Sequence, residues 1–276
     1  MSTPNPEQIK QNIKASFDLV ASGYDTPAMR YFPFSADHLA DSLKAKRGER
    51  VLDVACGTGM AAIAIATMLG PEGRLQAIDI SDKMLDKALV NIKKAGLTNI
   101  DLHTMDAENL EFKSQYFDAA SCAFGLFFLP DMAKGVKEIF RVLKPGGRFI
   151  YSSFSTQAFS PLADLFREHV TDYGINIPDN SWRLLSDEST CLELLRDAGF
   201  EQTQIDKKQL GYHLASSLDW WEILYNSAFR AILEQLEPPQ LAEFRQRHLT
   251  EIDKLKTDKG IWLDVEVLFV FGKRPV

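Results

Sequence analysis

Short apolar runs alternate with amphipathic stretches along the first half of the chain. Val51-Leu52-Asp53-Val54 is mostly apolar, ends in a small-residue turn, and gives way to Ala61-Ala62-Ile63-Ala64-Ile65-Ala66. This reads as a buried parallel strand, a tight glycine loop and the start of a helix. Further strands are expected over 74–80, 99–104, 117–123 and 148–154. Helices are expected over 82–95 and from 130 to about 143. Ser81 is placed to cap the first of these and Gly96 to end it. Upstream, Ile9, Ile13, Phe17 and Val20 stand at helical spacing over 7–21. Tyr31-Phe32-Pro33-Phe34 reads as an aromatic turn, 36–46 as a second helix, and 144–147 as a turn. Strands alternating with helices predict a parallel sheet with right-handed crossovers.

The pattern changes after Phe154. Residues 156–180 mix helix signals with Gly174, Pro178 and Asn180. A clean helix follows over 186–199, with Ser186 as its N-cap, and a sixth strand over 201–210. One helix over 218–236 carries Trp220 and Trp221, Pro238-Pro239 breaks it, and another helix spans 240–256. The seventh strand is expected over 261–271, antiparallel because a long helical excursion precedes it. The fold class expected is therefore α/β: a doubly wound, Rossmann-like, seven-stranded and mostly parallel sheet, its last strand antiparallel, with a helical cap.

Composition narrows the function classes. With 45% hydrophobic and 25% charged residues, the 276-residue chain is that of an ordinary globular protein. A formal net charge of -7 argues against nucleic acid or an anionic membrane as a partner. The three cysteines show no CxxC spacing and gather no histidines around them, so neither a disulfide framework nor a metal site is expected. A reducing, cytoplasmic setting fits best. Residues 1–14 are polar, without the apolar core of a signal peptide, and no run is apolar enough for a transmembrane helix.

Candidate chemistry sits at the ends of the expected strands. Gly57 and Gly59 let the backbone turn sharply and let a ligand approach it. Asp79 ends the second strand, twenty residues after Gly59. Its carboxylate could accept hydrogen bonds from both hydroxyls of a ribose, or could simply cap a helix. Asp106-Ala107 could bind an adenine, the acid accepting from its amino group and the Ala107 N–H donating to a ring nitrogen; a surface turn is the alternative. Asp53 is placed to order the glycine loop, a role compatible with ligand binding, and is counted among the expected cofactor-binding residues. These parts suit a nucleoside without a pyrophosphate, because Ala62 stands where a dinucleotide fingerprint wants its third glycine. The Tyr-x-x-x-Lys of short-chain dehydrogenases is also absent, so a nucleotide-dependent oxidoreductase is disfavoured.

Asp53-Val54-Ala55-Cys56-Gly57-Thr58-Gly59, Asp79, Asp106-Ala107, Phe117-Asp118 and Leu143-Lys144-Pro145-Gly146-Gly147 together resemble the class I S-adenosylmethionine-dependent methyltransferases. The resemblance covers about 17–154. It implies S-adenosyl-L-methionine as cofactor, with Gly57, Thr58 and Gly59 at its methionine part, Asp79 and its neighbour Ile80 at the ribose, Asp106 and Ala107 at the adenine, and Ala123 against the cofactor. Residues 16–25, with Ala123-Phe124-Gly125-Leu126, resemble more closely the ubiquinone/menaquinone biosynthesis C-methyltransferase group. That group follows Phe-Gly-Leu with Arg-Asn, whereas this chain has Phe127-Phe128.

The expected division of labour is N-terminal helices over 1–47 closing the site, a cofactor-binding core over 48–155, and the remaining core elements with helical substrate-cap insertions over 156–276. Tyr24 and Phe17 are expected to close over the cofactor or to pack as ordinary helix contacts. Trp220-Trp221 would line an apolar pocket or pack the cap. Eighteen phenylalanines suggest a small, apolar or aromatic acceptor, quinone-like or another natural product. The Phe127-Phe128 departure weakens the transfer of a quinone substrate, makes the site more apolar and removes a candidate cation; among enzymes, an oxygen or nitrogen acceptor rather than carbon is the alternative. His213 and His169 are the candidate general bases, each with packing as its alternative. A catalytically silent cofactor-binding module is the second function class.

Overall fold

The computed structural model describes residues 5–177 and 181–276, so Pro178 and Asn180 lie outside the described residues. Five strands form the parallel half of the sheet: β1 (Arg50–Val54), β2 (Arg74–Asp79), β3 (Ile100–Thr104), β4 (Phe117–Ala123) and β5 (Leu143–Phe154). Two more complete it, β6 (Glu201–Gln209) and β9 (Glu266–Lys273). The order is β3-β2-β1-β4-β5-β9-β6, and β9 runs antiparallel to both its neighbours. The seven-stranded sheet with an antiparallel last strand is thus the one expected. Central strands are buried on both faces and apolar; β6 lies at an edge, and its charged residues keep that edge in water.

Helices cover both faces: α1 (Pro6–Val20), α2 (Tyr31–Leu43), α3 (Met60–Leu69), α4 (Asp82–Lys94), α5 (Met132–Val142) and α7 (Glu188–Asp197). Ser81 caps α4 as expected, accepting from the Met84 N–H. The aromatic segment at 31–34 is the first turn of α2 rather than a loop. Pro33 is accommodated because the first turn of a helix needs no N–H from it. The Lys144-Pro145-Gly146-Gly147 signal is a bulge inside β5: the register jumps from Phe117↔Leu143 to Ala119↔Arg148. Asp187, not Ser186, caps α7, since its carboxylate reaches the Thr190 N–H.

The cap departs furthest from expectation. It contains α6 (Leu162–Thr171), a small ribbon of β7 (Tyr212–Leu214) and β8 (Ile261–Leu263), α8 (Ser217–Tyr225), the single turn α9 (Arg230–Leu233) and α10 (Pro238–Asp253). The expected helix over 218–236 ends at Asn226, whose side chain bonds back to the Glu222 carbonyl and carboxylate. Pro238 and Pro239 open α10 instead of separating two helices, and Glu237 and Gln240 form its capping box.

Three cap helices meet at a buried polar contact. The Trp220 indole N–H on α8 donates to His248 Nε2 on α10 at 2.9 Å, and His248 Nδ1 lies 2.9 Å from His169 Nδ1 on α6. Indole is only a donor, so neutral His248 carries its proton on Nδ1 and gives it to His169. Burial, with the charges of His169 and Arg247, pushes the His248 pKa down to about 3. The folded state therefore favours neutral His248. Its contribution is fully present above the unfolded pKa of about 6.5 and is lost as pH falls below it, by about 1.4 kcal/mol per pH unit. Denaturant melts of the wild type and His248→Gln between pH 8 and 5 check this. The wild type should lose stability more steeply on the acid side; parallel curves would refute it.

Candidate active site

The site forms where the parallel strands end. After Val54 the chain turns through Ala55 at φ +53°, Gly57 at +53° and Gly59 at +87°. The Cys56 N–H ties the loop to the Ile78 carbonyl at 2.9 Å. The glycines do different work. A Cβ on Gly57 would meet no atom within 4 Å, because Gly57 faces a cavity. A Cβ on Gly59 would lie 3.2 Å from the Ala88 Cβ of α4, so Gly59 serves helix packing. Gly57→Ala should destabilise the fold by only about 1–2 kcal/mol through its positive φ. It should also weaken nucleoside binding severalfold by filling that space, as calorimetry with S-adenosylhomocysteine would show.

The cavity is bordered by Tyr24, Gly57, Thr58, Asp79, Ile80, Asp106, Ala107 and Ala123, eight of the ten residues expected around a cofactor. Gly59 and Asp53 stand behind it. Asp53 is fully buried and accepts from Ser121 Oγ at 2.6 Å. Burial raises its pKa to about 7; the Ser121 bond opposes this and the negative Asp79 adds to it.

Asp79 does not cap α4; Ser81 does. Instead Asp79 Oδ2 accepts the Gly57 N–H at 2.8 Å and Oδ1 the Ser81 N–H at 2.9 Å. One carboxylate thus fixes the glycine loop against the end of β2 and keeps lone pairs for the cavity. Burial raises its pKa, opposed by the N–H groups of Ser81, Gly57 and Ile80. Asp106 accepts the Glu108 N–H on Oδ1 and the Lys10 ammonium on Oδ2, at 2.9 and 2.8 Å.

A second cavity of about 450 Å³ abuts the first, within the usual size of small-molecule sites. Ile13, Phe17, Tyr24, Phe32, Phe124 and Phe128 line both. Phe127, Phe154, Phe159, Tyr31 and Trp182 line only the second. Phe154 is the hub of that wall. It stacks on Phe124 at 4.4 Å and meets Tyr31, Phe159 and Trp182 edge-on. Phe124 holds a left-handed backbone at φ +54°, its N–H bonded to both Ser152 oxygens. No charged side chain is among the described residues that line this chamber. Tyr24 borders both cavities, and burial, with the negative Asp79 and Asp25 nearby, raises its pKa and keeps its hydroxyl a donor.

The candidate bases are elsewhere. His169 is paired with His248 in the cap. His213 lies on β7 against Trp262, its carbonyl accepting from Arg30. Neither lines either of these two cavities, so neither is in position to take a proton from a molecule bound there. Trp220 and Trp221 are buried in the cap and line neither cavity, so of their two readings packing is the one seen. Sequence reasoning missed Lys10, Met60, Met84 and Met105 at the first cavity. The methionines carry no pattern of their own, and Lys10 looks like any lysine flanking an apolar helix stripe.

The chain is an enzyme of the S-adenosylmethionine-dependent methyltransferase class, and its sheet order and strand-end residues are consistent with that class. The sequence profile of the ubiE/COQ5 methyltransferase family matches residues 7–216, and the chain belongs to that family. It is 33% identical over 175 residues to the ubiquinone/menaquinone biosynthesis C-methyltransferase UbiE of Serratia proteamaculans, covering 58% of this chain and 70% of that protein. It is also 33% identical over 144 residues to the aklanonic acid methyltransferase DauC of Streptomyces sp., covering 52% of this chain and 66% of the other. The YcgJ protein of Bacillus subtilis shares the fold, with a TM-score of 0.60 at 19% identity, covering 88% of this chain and 99% of that one. Among the described residues no helix is long and apolar enough to cross a membrane.

Proposed function

We propose that the enzyme methylates a ring carbon of a small, uncharged, aromatic or quinone-like molecule in the cytoplasm. The observation that carries this is the aromatic chamber without charged lining residues, sharing its wall with the glycine-loop cavity. A flat apolar ring buries its faces there, while an ion would lose its hydration without a partner. The same argument weighs against nucleic acid. Carbon is preferred over the alternative of oxygen or nitrogen because UbiE is by name a C-methyltransferase and the family profile spans residues 7–216.

The cofactor fits the first cavity on two grounds: the open space at Gly57 and the two carboxylates at strand ends. When bound, S-adenosylmethionine supplies an electrophilic methyl group on a sulfonium. Asp79 would hold the ribose, Asp106 and Ala107 the adenine, and Gly57 and Thr58 the methionine part. Phe17, Tyr24, Phe124 and Phe128 would present aromatic faces at the junction, excluding water and aligning the acceptor. Residues 1–47 would close the site and 156–276 would shape the acceptor chamber.

Incubation with methyl-labelled S-adenosylmethionine and fractionated small-molecule extracts tests this. The label should enter a neutral, organic-soluble product as a carbon-bound methyl group. Label confined to charged products or nucleic acid would overturn the reading.

A further inference from the structure

The two cavities share one wall that is neither sheet nor cap. Helix α1 contributes Lys10, Ile13 and Phe17 to the first cavity, and Ile9, Asn12 and Ser16 to the second. With α1 docked, the first cavity has a volume of about 120 Å³. Small-molecule sites usually have about 300–1,000 Å³. Moving α1 aside would widen this cavity on the side that Lys10, Ile13 and Phe17 line.

What holds α1 down is polar. Lys10 is 8% exposed, and its ammonium contacts Asp106 Oδ2 at 2.8 Å and Glu108 Oε2 at 2.9 Å. Burial opposes the charge, but the bonds from Asp106 and Glu108 outweigh it and raise the pKa, so the ammonium stays charged. Glu108 is 3% exposed, and its other oxygen accepts the N–H of Asp131, the N-cap of α5. The tie therefore runs from α1 into the core. Further along α1, Lys14 pairs with Asp82, and Asp18 accepts from Ser81 Oγ at 2.6 Å. The helix spans from the Asp106 loop to the loop after Asp79. Lys10 is the most buried cation in this set, and one of its partners, Asp106, lines the cavity.

We propose that Lys10 is a latch: a positioning residue that docks α1 over the nucleoside cavity and, through the shared helix, completes the acceptor chamber only when the latch is closed. The inference rests on the cofactor reading above. Because one helix walls both cavities, cofactor and acceptor binding are linked.

The test is the binding kinetics of S-adenosylhomocysteine to the full chain, measured by surface plasmon resonance, with hydrogen exchange as a second readout. In Lys10→Met both the association and dissociation rates should rise at least fivefold. The amides of residues 9–17 should exchange at least tenfold faster, with those of β1 and β4 unchanged. Lys10→Arg should stay within about twofold of wild type. A change in the dissociation rate alone would overturn the latch and leave Lys10 as a mere support for Asp106. Unaltered rates, or unaltered exchange in α1, would overturn it as well. Failure of S-adenosylhomocysteine to bind the wild type would remove the cofactor assignment and the latch together. Binding with unchanged Lys10→Met kinetics removes the latch alone. Should Lys10→Met lose exchange protection throughout the sheet, a Lys10→Arg variant with accelerated rates would by itself contradict the proposal.

Discussion

Replacing Asp79 with alanine should lower the affinity for S-adenosylmethionine at least tenfold while the protein stays folded. Charge-assisted hydrogen bonds are worth about 1.5–3 kcal/mol, and one such loss already reaches that factor. The effect should exceed the loss of ribose contacts alone, because Asp79 also holds the Gly57 and Ser81 N–H groups. Asp79→Asn separates the two contributions. It keeps one acceptor oxygen but presents donors where the protein also presents donors, so its affinity should fall close to that of alanine. Calorimetry with thermal melts in parallel would decide. Unchanged affinity in a folded Asp79→Ala protein would remove Asp79 from the site.

Phe154→Ala should act in the opposite place. Phe154 is 6% exposed and meets five aromatic neighbours around the chamber, so truncation should cost about 3–5 kcal/mol of stability. It lines the second cavity and not the first. Cofactor affinity measured well below the lowered melting temperature should therefore change by less than about threefold, while methyl transfer to the acceptor should drop much further. The two substitutions together separate the cavities. Asp79→Ala strikes the nucleoside side and Phe154→Ala the acceptor side. If Phe154→Ala weakened cofactor binding as much as Asp79→Ala, the boundary between the two sites would be wrong.

The legible part of the molecule is the part whose signals are local. Buried parallel strands are short apolar runs, Ser81 caps where it stands, and Asp79 and Asp106 follow strands whose ends the sequence marks. A doubly wound sheet then brings those ends together whatever the helices do, which is why eight of the ten expected residues border one cavity. The cap lacks that regularity. Trp220 and Trp221 stand on a helix face that looks the same whether it meets a cavity or another helix. Only the arrival of His248 on α10 decides that Trp220 packs. His169 reads as a base in sequence because its partner lies 79 residues away. Prolines at 238 and 239 end one helix or begin another according to their neighbours, and Gln240 settles it through the capping box. Lys10 is inconspicuous for a related reason: its contact with Asp106 crosses 96 residues.

Fold alone does not carry the function, since one sheet supports many chemistries. Family membership supplies the reaction class, and the proposed division between donor and acceptor rests on the two adjoining cavities. Carbon as the receiving atom and an aromatic acceptor are what we propose, with the uncharged chamber wall and the named relatives as support.

The central claim is that the glycine-loop cavity holds the nucleoside cofactor and delivers its methyl group towards the aromatic chamber. A crystal structure of the complex with S-adenosylhomocysteine tests it most directly. The account predicts both ribose hydroxyls within hydrogen-bond distance of Asp79, the adenine between Asp106 and Ala107, and the sulfur at the wall formed by Tyr24, Phe124 and Phe128. A nucleoside bound away from Asp79, or a sulfur turned from the aromatic chamber, would contradict it.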